Sequence, residues 1–368
     1  MVASVHQIVV PAHANIYEAG QRELTVTYAV PDNGCDSKTG LLLIITGFGE
    51  SIETPYIQHA IHFLSDEYNV VTVVSQYFGY RYMGGIQQPS FTFDTRYIKG
   101  IVTNDDFIKV SNLKPYEVDS LLQILSHYPI QLIGHECLRE RYEDFNDMGV
   151  MQALDNITAV LSVIEIMQIR GNSMDKSRIM AYGHGHGAYL AYLCNAFAPK
   201  LFFLIVDCSG WLFPPYMKSP RVLSGIYDKM TYSVTFDYLA RKLTIDPFLL
   251  HIDKLYRLFR NQAHILCFHS IHEDRTIIEA KERFCNSIHS GMFIQISRDQ
   301  VDDYSFIVQS EEIIFDFVNV FTYVMDNVKL ESIGSGVLDQ QVRFQTNDNR
   351  YEISYSRASL TFNQQALN

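Results

Sequence analysis

The sequence predicts an α/β protein built on a mostly parallel sheet, and three observations carry that prediction. Hydrophobic residues make up 47% of the 368 residues and charged residues 19%, enough apolar material for a sizeable core. Short continuous apolar runs recur along the chain, as strands buried on both faces of a parallel sheet require. Amphipathic or apolar helical patterns lie between those runs, which is the signature of βαβ units.

The elements follow in order. "HQIVV" (6–10) and "ELTVTYAV" (23–30) read as strands, the second alternating like a half-exposed one. "PDNGCDSKTG" is dense in turn formers. Six apolar runs follow, at 41–46, 69–76, 178–183, 201–207, 264–270 and 292–297. Helical patterns accompany them: "YIQHAIHFLSDEY", "MGVMQALDNITAVLSVIEIMQI", "GAYLAYLCNAFA", "RTIIEAKERFCNSI" and "EEIIFDFVNVFTYVMDNV". Two stretches interrupt the alternation, about 85–145 and 213–262, each after the C-terminal end of a strand. Open α/β sheets bind ligands at that end, so both stretches read as a cap or lid on a domain spanning 1–330. The tail, 331–368, contains "VRFQTNDNRYEISYS", two alternating runs around Asn347, Asp348 and Asn349, and reads as a β-hairpin.

Charge and cysteine usage narrow the class. A net charge of −12 and a pI near 5.5 argue against non-specific nucleic-acid binding and against an anionic membrane surface. No continuous apolar stretch reaches the ~18–20 residues that span a bilayer, and the first twenty residues do not read as a signal peptide. The six cysteines form no C-x-x-C pair; Cys208 and Cys267 sit in apolar runs as small buried hydrophobes. The expectation is a cytoplasmic protein without a cofactor.

The most informative stretch is "MAYGHGHGAYLAYLCNAF", a strand, a glycine-rich turn and a helix. Many hydrolases carry G-x-S-x-G at such a junction, the serine being the nucleophile. Here the five residues are Gly183, His184, Gly185, His186 and Gly187. Gly47-Phe48-Gly49 precedes this turn and an acid-bearing loop, "HSIHEDRT", follows a later strand. That is the chain order of oxyanion loop, nucleophile and acid in the α/β-hydrolase fold, which the sequence resembles.

The segments "NIYEAGQRELTV", "TGLLLIITGFGES", "EYNVVTVVSQYFGY", "FNDMGVMQALDNITAV" and "GHGAYLAYLCNAFAPKLF" carry a closer resemblance. Over about 10–326 the chain resembles an uncharacterised bacterial family of α/β-hydrolase-like proteins, a domain of unknown function seen in Firmicutes and Campylobacter relatives. In such relatives the elbow looks like Gly-Ser-Ser-His-Gly. The resemblance therefore puts the nucleophile position at Gly185, which has no side chain for a covalent acyl-enzyme. It puts the acid at Asp274, which a helix starting near Arg275 makes equally readable as an N-cap. It puts the histidine where this chain has Glu311 or Glu312, and no histidine follows His289.

Nucleophile and base act as a unit, so loss of both implies a triad without its mechanism. Oxyanion donors would be backbone N–H groups of Phe48 or Gly49 and of His186, at a helix start. Tyr77, Phe78, Tyr80, Trp211 and Phe213 are aromatic pocket candidates by position, with Tyr77, Tyr80 and Trp211 foremost. The leading expectation is a non-catalytic protein that binds a small-molecule ligand or a protein partner. Two alternatives stand beside it: an ester or acyl hydrolase using displaced residues such as Ser209, and a metal-dependent hydrolase using His184, His186, His269, His272 and Asp274.

Overall fold

The computed structural model describes residues 2–114, 117–243, 246–302, 304–309, 312–331, 336 and 338–367. In chain order the strands are β1 (Ser4–Pro11), β2 (Glu23–Val30), β3 (Gly40–Ile45), β4 (Val70–Ser75), β5 (Pro89–Thr92) and β6 (Gln131–Glu136). Then come β7 (Ile179–His184), β8 (Leu204–Cys208), β9 (Arg221–Tyr227), β10 (Met230–Phe236), β11 (His264–Ser270) and β12 (Gly291–Ile296). The last are β13 (Phe306–Gln309), β14 (Glu312–Phe315), β15 (Gln341–Gln345), β16 (Asn349–Ser356) and β17 (Ser359–Ala366).

Eight of these form the main sheet, in the order β1-β2-β4-β3-β7-β8-β11-β12. β1 and β2 are antiparallel to their neighbours, and from β4 to β12 every pairing is parallel. The central strands β3 and β4 are buried at every residue, which explains their unbroken apolar sequence. The helices between them start with local signals. Thr54 accepts from the Ile57 N–H ahead of helix Pro55–Tyr68, and Asp316 accepts from the Asn319 N–H ahead of Phe317–Asn327. One face of the sheet packs on those two helices through Ile57, Ile61, Leu64, Phe317, Val320 and Phe321.

The chain divides into two compact units, 1–80 with 147–214 and 244–368, and 81–146 with 215–243. The first holds the eight-stranded sheet. The second holds its own four-stranded sheet, β5-β6-β10-β9, over a small core that includes Ile98, Leu125, Leu132 and Met230. Residues 246–262, read from the sequence as part of the second insertion, belong to the first unit. Leu249, Leu250, Ile252 and Leu255 are buried there, and the Tyr189 hydroxyl donates to the Leu250 carbonyl at 3.3 Å.

The tail is a hairpin extended by one strand: β15 pairs with β16, and β17 adds antiparallel to β16. β17 reads "SLTFNQQA", too polar to register as a strand by pattern alone. The helix Val150–Ile169 buries polar residues along with apolar ones. It is 20 residues long and apolar enough by composition to cross a membrane, and it is mostly buried within the fold. Gln152, Asp155 and Asn156 interrupt its apolar run in sequence. They are buried as well, with polar partners: Arg22 forks onto the Asp155 carboxylate at 2.6 and 3.1 Å, and Gln152 meets His186.

Candidate functional site

The glycine turn is a strained strand-to-helix elbow. β7 runs into Gly185, which has φ 50° and ψ −108°, and the helix His186–Phe197 begins at the next residue. Its backbone is fixed on both sides: the Gly185 N–H donates to the Cys208 carbonyl at 2.8 Å, and the Tyr189 N–H to the Gly185 carbonyl at 3.1 Å.

The three glycines differ in what they permit. A Cβ at Gly183 would run into the backbone of Gly187, and one at Gly187 into the Ile45 carbonyl. Those two are glycine because helix, elbow and β3 touch backbone to backbone. A Cβ at Gly185 would meet nothing within 4 Å. Only backbone strain opposes a side chain there, on the order of 1–3 kcal/mol.

The histidines flanking Gly185 are held apart. The His184 ring packs 4.7 Å from that of Phe317, and its Nε2 lies 3.1 Å from the Tyr182 hydroxyl. His186 is fully buried, with Nε2 2.7 Å from the Gln152 side-chain carbonyl. Burial pulls the His186 pKa down to about 3 and that of His184 to about 4, so both are neutral at pH 7.

The rings of Phe48 and Trp211 sit 5.3 Å from that of His186 on different sides of a three-ring cluster. Gly49, at φ 88°, lets the loop after β3 turn back. That turn is tied by the Glu50 carboxylate, which accepts from the Gly47 N–H at 2.6 Å; burial pushes the Glu50 carboxyl up. Tyr77 and Tyr80 are edge-to-face at 5.4 Å beside this loop, and the Tyr80 hydroxyl accepts from the Ile52 N–H at 2.6 Å.

On the acid side the structure separates two adjacent carboxylates. Asp274 is exposed and caps the helix Arg275–Ser287, accepting from the Thr276 N–H at 2.7 Å and from its hydroxyl. Of the two roles read for Asp274, the capping contact is the one made. The carboxylate turned toward β8 and β11 belongs to Glu273. It accepts from the Ser209 hydroxyl and lies 2.8 Å from His269 Nδ1. Burial raises the Glu273 carboxyl, but His269, Ser209 and the Ser270 N–H outweigh it and hold it below the usual range. Ser209 is a non-glycine residue at φ 54°, immediately after β8. His269 Nε2 is buried with no partner among the described residues.

Beneath this group lies a buried ion pair. Lys281 Nζ sits 2.8 Å from Asp207 Oδ2 and donates to the Gly210 carbonyl at 2.7 Å. The Tyr192 hydroxyl and the Gly210 N–H complete the shell of Asp207, at 2.5 and 2.6 Å. Burial opposes the charge on Asp207, and Lys281 overrides it, holding the carboxyl below its ordinary value.

The metal alternative changes accordingly. His184, His186, His269 and His272 each face a separate partner; His272 Nε2 accepts from Arg298 Nε at 3.3 Å. Among the described residues the donor atoms that do converge, within 4.8 Å, are those of Asp207, Cys267 and His269. A cation already occupies Asp207 there, the Lys281 ammonium. Sequence reading named His269 but missed Glu273 and Lys281. Lys281 carried no signal, because a lysine in a helix reads as solvated. Glu273 was adjacent to the residue chosen. Glu311 lies outside the described residues.

Strand order, parallel pairing and the elbow after the fifth sheet strand in sequence define an α/β-hydrolase fold. The chain belongs to the family described as "Protein of unknown function (DUF2920)", whose model matches residues 14–290. Comparison with curated proteins finds no match. Similar solved structures include Est1E from Butyrivibrio proteoclasticus bound to ferulic acid, at 13% identity and a TM-score of 0.39, covering 75% of this chain and 86% of that one. A dienelactone hydrolase from Anabaena variabilis is similar at 12% identity and a TM-score of 0.35, covering 80% and 87%. An acylaminoacyl peptidase from Pyrococcus horikoshii is similar at 10% and 0.42, covering 81% of this chain and 37% of that one.

Proposed function

We propose that this protein is a hydrolase-fold binding protein that forms no covalent acyl intermediate. The observation that carries the reading is Gly185. It keeps the backbone conformation of a nucleophile elbow, opens onto free space, and supplies no atom to attack with. The absence of any histidine after His289 supports it, because the fold takes its base from that part of the chain. The elbow still offers a helix N-terminus and the turn after β3, groups suited to a carbonyl or carboxylate oxygen. The ligand class that follows is a small acyl compound, bound but not cleaved.

A fluorophosphonate probe tests this directly. The wild-type protein should stay unlabelled, and Gly185→Ser should stay unable to turn over a p-nitrophenyl ester. Labelling of any serine in the wild type, or turnover by that variant, overturns the reading.

One observation favours a second reading, an esterase with displaced residues. Ser209 stands in a strained conformation with Glu273 and His269 beside it. In that arrangement the serine proton goes to the carboxylate rather than to the imidazole, so the order of a triad is not made. Probe labelling abolished by Ser209→Ala would select this reading.

A further inference from the structure

We propose that the second unit carries an anion-binding site of its own, for a small organic carboxylate or phosphate monoester. The site is a cavity of about 440 Å³, within the usual size of small-molecule pockets. Its wall includes three guanidinium-bearing residues, Arg81, Arg139 and Arg141, with the backbone of Gly84 and Gly85.

One of the three arginines is already engaged, by a carboxylate of the neighbouring turn and by the Tyr82 hydroxyl. Arg81 pairs with Asp144 at 2.9 Å. Among the described residues no ion pair or side-chain hydrogen bond engages the guanidinium of Arg139 or Arg141. The lining carboxylate, Glu136, keeps its negative charge and is held in place by the N–H groups of Gln87 and Gln88 at 3.2 and 2.6 Å. With Arg81 paired to Asp144, the wall sets Arg139 and Arg141 against the single carboxylate of Glu136, an excess of positive charge carried by planar donors that fit a carboxylate or phosphate two bonds at a time.

The loop is built to hold that arrangement. Glu140, between the two arginines, turns inward and accepts from the Asn146 and Leu239 N–H groups at 2.8 and 2.5 Å. Arg141 and Asp144 close the turn with a pair of backbone hydrogen bonds at 3.2 and 3.0 Å. Arg139 is held at φ 53°, a conformation that costs a non-glycine residue free energy. Arg139 and Arg141, on either side of that inward anchor, both line the one cavity.

Charge distribution separates this unit from the other. Residues 81–146 and 215–243 carry 12 Lys and Arg against 11 Asp and Glu, whereas the whole chain has 29 against 41. The strongly acidic character lies outside this unit, so an anion meets less repulsion here than the net charge suggests.

The test is calorimetric titration of the full-length protein with benzoate, phenyl phosphate and neutral benzyl alcohol. Both anions should bind, the alcohol should not, and the double variant Arg139→Gln/Arg141→Gln should lose at least tenfold in affinity for each anion. Tighter binding of phenyl phosphate marks the natural ligand as a phosphate monoester, and tighter binding of benzoate marks it as a carboxylate. Arg96→Gln removes an exposed charge outside the cavity wall and should leave binding unchanged. Cys137 is exposed in the same wall, so saturating anion should slow its reaction with N-ethylmaleimide. Failure of both anions to bind, equal binding by the double variant, equal binding of the alcohol, or an equal loss in Arg96→Gln each overturns the proposal.

Discussion

The elbow and the neighbouring β8–β11 edge lie side by side on the same sheet, joined by the hydrogen bond from Gly185 to Cys208. At the elbow the backbone takes the geometry of a nucleophile turn, and Gly185 at its centre has no side chain. At the β8–β11 edge polar and charged side chains cluster instead. Ser209 and His269 both bond to Glu273, and the Asp207–Lys281 pair lies beneath them. The difference shows that backbone geometry and functional groups are held by separate forces. The elbow is held by close backbone packing at Gly183 and Gly187 and by the backbone hydrogen bonds of Gly185, none of which needs a side chain at its centre. The polar cluster survives because each buried charge needs its partner.

Four variants test that separation, and the largest effect belongs to the ion pair. Lys281→Met leaves Asp207 charged, buried and uncompensated, and should cost about 3–5 kcal/mol in chemical denaturation. Adding Asp207→Asn should recover much of the loss. A small effect of Lys281→Met alone would mean that Asp207 protonates without cost and that the pair does not hold this edge.

Gly187→Ala comes next. Its methyl group meets the Ile45 carbonyl, and overpacking of that kind costs about 1–3 kcal/mol or more, since backbone cannot step aside. Gly185→Ser meets no atoms and should cost only the conformational strain, about 1–3 kcal/mol. If Gly185→Ser proved the more damaging of the two, packing would not be what keeps the frame.

The last effect is a slope, the smallest of the four at pH 7 and growing as the pH falls. The pKa of His186 is 6.5 when unfolded and about 3 when folded, because burial disfavours its charge. As pH falls below 6.5 the unfolded chain takes up a proton that the folded one refuses. Stability contributed above pH 6.5 is therefore lost progressively down to about pH 3, by about 1.4 kcal/mol per pH unit at most. His186→Gln should remove that share of the acid slope. An unchanged slope would show that the imidazole is charged in the fold.

Much of the fold was legible because its signals are local. The strands Glu23–Val30 and His264–Ser270 coincide with the apolar or alternating runs that announced them, and the other main-sheet strands lie within a few residues. A double-sided buried strand must be apolar throughout, and a helix must be capped, so both leave marks in adjacent residues. The second unit was less legible. β5, β6, β9 and β10 are short or half-exposed, and the β6–β10 pairing joins residues 100 positions apart, Gln131 with Thr231.

The candidate site divides along the same line. Gly183, Gly185 and Gly187 form a motif in sequence, and their junction was readable. Choosing between Glu273 and Asp274 was not, since neighbours in a loop point different ways and only the folded backbone sets which one faces inward. Lys281 lies 74 positions from Asp207, and nothing in its helix marks it as buried.

By itself, then, the sequence determined the layer architecture, the strand-to-helix elbow and the absence of a serine at its centre. Those follow from hydrophobic periodicity, glycine spacing and residue identity, all properties of a short stretch of chain. Only the tertiary structure decided which carboxylate meets His269, that a lysine fills the cation position on Asp207, and that Gly185 is the roomy glycine of the three. Burial and the approach of distant backbones set these, and neither is a property of any short stretch.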